Sequence, residues 1–135
     1  AMTERMVMAV ASPHVDILGH CTGRKVQGNG SDQRVIRAGS SFDAEIVFAA
    51  CARFETAVEI NSRPERQDPP GDLLDLALDW DCYISIDTDA HAPGQLEFVN
   101  YGCDKAAAHG IEAERIINTW SADDLIAWTR NHPAA

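Results

Sequence analysis

Three short apolar runs recur along this chain, each followed by polar residues and separated from the next by a segment of helical periodicity. They are 15-VDILGH-20, 56-TAVEIN-61 and 82-CYISI-86. Between the first two lies 42-FDAEIVFAACARF-54, whose apolar residues at 42, 46, 47, 50, 51 and 54 match a helical stripe. Between the second and third lies 72-DLLDLALDW-80, with Leu73, Leu76, Ala77 and Trp80 on one side. Strands alternating with helices imply parallel pairing, because a parallel partner cannot be reached through a tight turn. The expected fold class is therefore α/β with parallel strands. In such folds ligands bind at the carboxyl ends of the strands, so polar residues should gather just after each run. They do. His20, Thr22 and Arg24 follow the first; Glu59 and Asn61, with Arg63 and Arg66 behind, close the second; Asp87, Asp89 and His91 follow the third.

The rest of the chain fits around this repeat. Residues 2–11 read as a short helix ended by Pro13, and 96–108 as a helix closed by Gly110. The stretch 22-TGRKVQGNGSDQRVIRAGSS-41 has four glycines and few apolar residues, and reads as a long loop with a mobile middle. Ser41 is the expected cap of the helix that follows it, and Ser121 of the helix 121-SADDLIAWTR-130. A Pro-rich loop, 62-SRPERQDPPG-71, a loop at 87–95 and a short segment, 115-RIINT-119, complete the reading. Ala1 ahead of Met2 reads as a cloning remnant, and one domain is expected over residues 2–135.

Charge excludes one class of function. Eleven Lys and Arg stand against 21 Asp and Glu, a net charge of −10, so strong sequence-independent binding to nucleic acid is not expected. An anionic substrate can still bind where metal cations dominate the local field. The four cysteines form no C-x-x-C pair, which argues against a zinc ribbon or a thioredoxin-like motif. Three of them lie in or beside apolar segments and read as small buried hydrophobes. No apolar run approaches the ~18 residues of a membrane span, and no segment resembles a signal peptide; a cytoplasmic location without a membrane partner is expected.

The polar clusters are suited to metal chemistry. Carboxylate oxygen and imidazole nitrogen together suit zinc, manganese or iron. Side chains alternate along extended chain, so Asp89 and His91 point to one face. His20, from a neighbouring strand end, can complete part of a shell; Glu59 can serve as ligand, supporting partner or base; Arg24 can hold a phosphate by a bidentate contact. The plainer reading of Asp89 and His91 is a loop that satisfies its own backbone groups. His14, His109 and His132 carry no expected site role.

The pattern 14-HVDILGHCTGR-24, followed by 59-EIN-61 and 86-IDTDAHAP-93, resembles the C-terminal half of a PHP (polymerase and histidinol phosphatase) domain, of the type attached to family-X DNA polymerases and of stand-alone phosphoesterase relatives. The likeness runs from about residue 13 to 130. It implies a partial (β/α) barrel: the C-terminal half of a distorted seven-stranded barrel. It implies hydrolysis of phosphoester bonds by a metal-activated water. It places His20, Asp89 and His91 at metal-binding positions, and Arg24, Glu59 and Asn61 near the cluster. The family's remaining ligands, an H-x-H pair among them, belong to an N-terminal half, and this sequence has no H-x-H. The expectation is a truncated PHP-like domain whose divalent metal is only partly held, and which is inactive or weakly active alone. A cut barrel also leaves an open sheet edge, so a homo-oligomer is expected. The alternative is a non-catalytic, self-associating α/β module. A nucleotide-binding domain would need a phosphate loop, and 28-GNG-30 is too short and reads as a turn.

Overall fold

The computed structural model describes residues 1–134; the last residue of the expected 2–135 domain lies outside them. The chain order is α1 (Met2–Val10), β1 (Ile17–Leu18), β2 (Lys25–Gln27), β3 (Arg34–Arg37), α2 (Ala44–Phe54), β4 (Ala57–Asn61), α3 (Gly71–Asp79), β5 (Ile84–Asp87), α4 (Val99–Ala108) and α5 (Ala122–Arg130). Short 3-10 turns precede α4 and α5. Strands β1, β4 and β5 form a three-stranded sheet in that order, all parallel. Ile116 bridges the outer side of β5 at Ile84, in parallel sense. The sheet does not close into a barrel.

Alternation along the strands divides two faces. Val58 and Ile60 of β4 lie beside Ile84 and Ile86 of β5, and all four are buried. They meet Val47, Phe48 and Cys51 of α2 and Leu74 and Ala77 of α3, with Val10 and Ala106 at the margins. Removing a side chain such as Phe48 or Ile60 from water contributes about 2–3 kcal/mol each. The opposite face carries Ala57, Glu59 and Asn61 of β4 beside Ser85 and Asp87 of β5. Ile117 and Trp128 cover only its Ala57 end, with Tyr83, Trp120 and Leu125 packed around them. The other end, at the carboxyl termini of the strands, is left polar.

Three expectations change. The stretch 22–41 holds an antiparallel hairpin, β2 with β3, turned at Gly28 and Gly30, which both adopt positive φ. Every residue of β3 is exposed, so no burial pattern announces it. The cap of α2 is Asp43, whose Oδ1 accepts from the Ile46 N–H at 3.2 Å, and not Ser41. Trp80 is 42% exposed, while Leu74 takes the buried position on α3. Ser121 does cap α5, accepting from the Asp124 N–H at 3.1 Å. Cys21, Cys51 and Cys82 are buried and free, and burial pushes all three thiols up; Cys103 is exposed. Among the described residues no helix is long and apolar enough to cross a membrane.

Candidate functional site

The three strand ends meet. Glu59 Oε1 accepts from the main-chain N–H of His20 at 2.8 Å and from Asn61 Nδ2 at 3.1 Å. Asn61 Nδ2 also donates to Asp89 Oδ2 at 3.2 Å. One buried amide therefore links the exits of β1, β4 and β5. His20 and Asp89 both take positive φ, +26° and +53°, backbone that costs a non-glycine residue about 1 kcal/mol and persists where surrounding contacts fix it.

Two carboxyls here have opposite electrostatics. Burial raises the Glu59 pKa to about 7, and the neighbouring Asp87 carboxylate adds to this, against the His20 and Asn61 hydrogen bonds. Asp87 Oδ2 in turn accepts from Ser85 Oγ at 2.7 Å. For Asp89, burial also acts upward, but the Asn61 hydrogen bond and the Arg63 and Arg66 charges outweigh it and hold the carboxyl below its usual range.

Both guanidinium groups come from the loop after β4. Arg66 Nε lies 3.3 Å from Asp89 Oδ2, and Arg66 Nη1 is buried with no hydrogen-bond partner. Arg63 pairs with Glu65 through Nε at 2.6 Å. Its Nη1 donates to the Asp89 carbonyl at 2.7 Å and lies 2.6 Å from His91 Nδ1.

A comparison with curated proteins finds a relative. The chain is distantly similar to DNA polymerase/3'-5' exonuclease PolX of Bacillus subtilis (strain 168). Identity is 28% over 129 residues, which cover 96% of this chain and 21% of that protein. The chain thus spans about a fifth of the length of the curated relative it matches. No family model matches.

The expected ligand residues gather unevenly. Asp89 sits at the centre of the network. His20 joins through its main-chain N–H, and the residue is otherwise exposed. His91 faces a guanidinium, which can only donate. Its Nδ1 also lies 2.8 Å from the Asp89 carbonyl, which can only accept, so local contacts occupy Nδ1 in either tautomer, while Nε2 makes no hydrogen bond among the described residues. Among the described residues no three His, Cys, Asp or Glu side chains converge as a metal cage. A divalent cation does not fit these donors as they stand. Arg24 lies elsewhere: its Nε donates to the Arg66 carbonyl at 3.1 Å and its Nη2 to the Gln67 carbonyl at 2.5 Å. Of the histidines given no site role, His109 pairs with Asp75 and His132 with Asp16, at 2.6 and 2.7 Å.

Sequence reasoning ranked Arg63 and Arg66 behind the strand ends, although they carry the site's positive charge. It missed Asp68 altogether. That side chain is fully buried and accepts from the Thr22 N–H at 3.2 Å, Thr22 Oγ1 at 2.9 Å and the Gly23 N–H at 3.0 Å, which fixes the turn after β1. An Asp in a Pro-rich loop gives no sign of burial.

Proposed function

We propose that this chain is the C-terminal portion of a metal-dependent phosphoesterase of the PHP type attached to family-X DNA polymerases, incomplete by itself. One observation carries the reading: Glu59, Asp89, Arg63 and Arg66 meet where the parallel strands end. A phosphoester needs cations against its oxygens and a base for the attacking water. The unpartnered Nη1 of Arg66 is a spare donor for a phosphate oxygen. A carboxyl with a pKa of about 7 can take a proton from water near neutrality, and Glu59 is that group. His20, Asp89 and His91 would supply only part of the shell for zinc, manganese or iron. The distant similarity to PolX supports the placement in a longer protein, where the remaining donors would lie.

The test is a zinc and manganese titration of the purified chain, with hydrolysis of p-nitrophenyl phosphate as readout. Weak, substoichiometric binding and near-background turnover are expected, with turnover restored when the preceding half-domain is supplied in cis. Robust turnover by the chain alone overturns the incompleteness. If the completed domain also stays inactive, the phosphoesterase reading fails. The second reading, a self-associating module without turnover, then stands; it is favoured by the lack, among the described residues, of three converging metal-binding side chains.

A further inference from the structure

A groove of about 490 Å³ opens between the hairpin, the loop after β4 and helix α4. Arg24, Ser62, Gln67, Tyr101, Lys105 and His109 are among its lining residues. Two cations share it in a chain of net charge −10. Lys105 Nζ donates to the carbonyl of Gln67 at 2.8 Å and also to that of Pro69. Arg24 holds the carbonyls of Arg66 and Gln67. Both cations are thus hydrogen-bonded to neutral oxygens; the buried Asp68 carboxylate acts on both through space, and Asp72 on Arg24, without a hydrogen bond to either. An ammonium has three N–H donors and a guanidinium five, so each has some to spare. Asp104 also borders the groove, but it is exposed and bonds neither cation.

A second observation points to a ligand. Ser62 is 2% exposed, its Oγ has no hydrogen-bond partner, and it lies in the groove wall against Gly102. A buried hydroxyl left unpaired is costly unless something visits it. Helix α3 also begins at this groove, at Gly71, without a side-chain cap, so its first N–H groups are unclaimed by a side chain.

We propose that this groove binds a phosphate monoester dianion or free phosphate, held by Arg24 and Lys105 and hydrogen-bonded by Ser62. The proposal stands apart from the phosphoesterase reading. Among the described residues the side chains of Arg24, Ser62 and Lys105 make no hydrogen bond to Glu59, Asp87 or Asp89.

The experiment is an NMR titration of the full chain with inorganic phosphate in one arm and a nucleoside 5'-monophosphate in the other. Saturable shifts are expected at the amides of Ser62, Gln67 and Lys105. A nucleotide that binds more tightly than phosphate, with the gain lost in Tyr101→Ala, identifies the monoester as ligand; equal affinity identifies free phosphate. Ser62→Ala removes a hydroxyl that satisfies nothing in the fold, so it should leave the melting temperature unchanged or raised while weakening binding about tenfold. Lys105→Met should abolish saturation and Lys105→Arg restore it. Absence of saturable shifts in both arms overturns the proposal. So does wild-type affinity in Ser62→Ala and Lys105→Met, or a response confined to Arg63 and Arg66.

Discussion

Changing Glu59 to Gln should make this protein more stable at pH 8 and flatten its response to pH. Glu59 is largely buried, and its pKa rises from 4.5 to about 7 because burial penalises the charged form and the nearby Asp87 carboxylate does the same. A raised carboxyl pKa means that the folded state holds the proton more tightly than the unfolded chain. Stability must therefore fall as pH rises from about 4.5 through 7, the reverse of a salt-bridged carboxylate. Each pKa unit corresponds to about 1.4 kcal/mol, but water still reaches part of the carboxyl and screens the charge, so about 1–2 kcal/mol is expected across the window. Glutamine keeps the oxygen that accepts from His20 and Asn61, and its amide N–H can donate to Asp87. The groups around the site are Asp87, Asn61, Asp89, Arg63, Arg66 and the His20 N–H; none is altered by the change. Urea denaturation from pH 4.5 to 8.5 reads the effect. Glu59→Gln should gain about 1–2 kcal/mol at pH 8, a rise in Tm of about 3–6 °C, and lose most of the downward slope. An unchanged slope, or a less stable variant at pH 8, refutes the account of a charge held at a desolvated site.

Other outcomes follow from the same structure. Asp68→Ala leaves the Thr22 and Gly23 N–H groups without their acceptor, and should cost about 3 kcal/mol or more by urea denaturation. Gly102→Ala would place a Cβ 2.2 Å from Ser62 Oγ and 2.6 Å from Ile86 Cγ2, so α4 must shift; a loss of about 1–3 kcal/mol is expected. Sedimentation at micromolar concentration should show a homo-oligomer, because β1 pairs on only one side and its Ile17 is 36% exposed; a clean monomer sinks that expectation.

The parallel sheet was legible because its strands are bounded by polar clusters and separated by helices with clear stripes. Glu59, Asn61 and Asp89 were legible as a group because strand ends in such a sheet converge. The hairpin was not: Arg34–Arg37 is exposed throughout, and a solvated ribbon leaves no apolar alternation to read. Arg24 stands where the sequence suggests a phosphate contact beside Asp89, yet it binds the loop that carries Arg66. That choice depends on how the loop folds back, which residue spacing does not encode. The burial of Asp68 depends on the same fold-back, and so does the contact of Arg63 with His91.

Arg24 and Lys105 grip the carbonyls of residues 66, 67 and 69, while the side chain of Arg66 rests against Asp89. Helix α4 is thereby a distant tether on the acidic centre, fastened some forty residues downstream. Loss of Lys105 would slacken the loop that carries Arg66, and so disturb the ion pair at Asp89 from a distance.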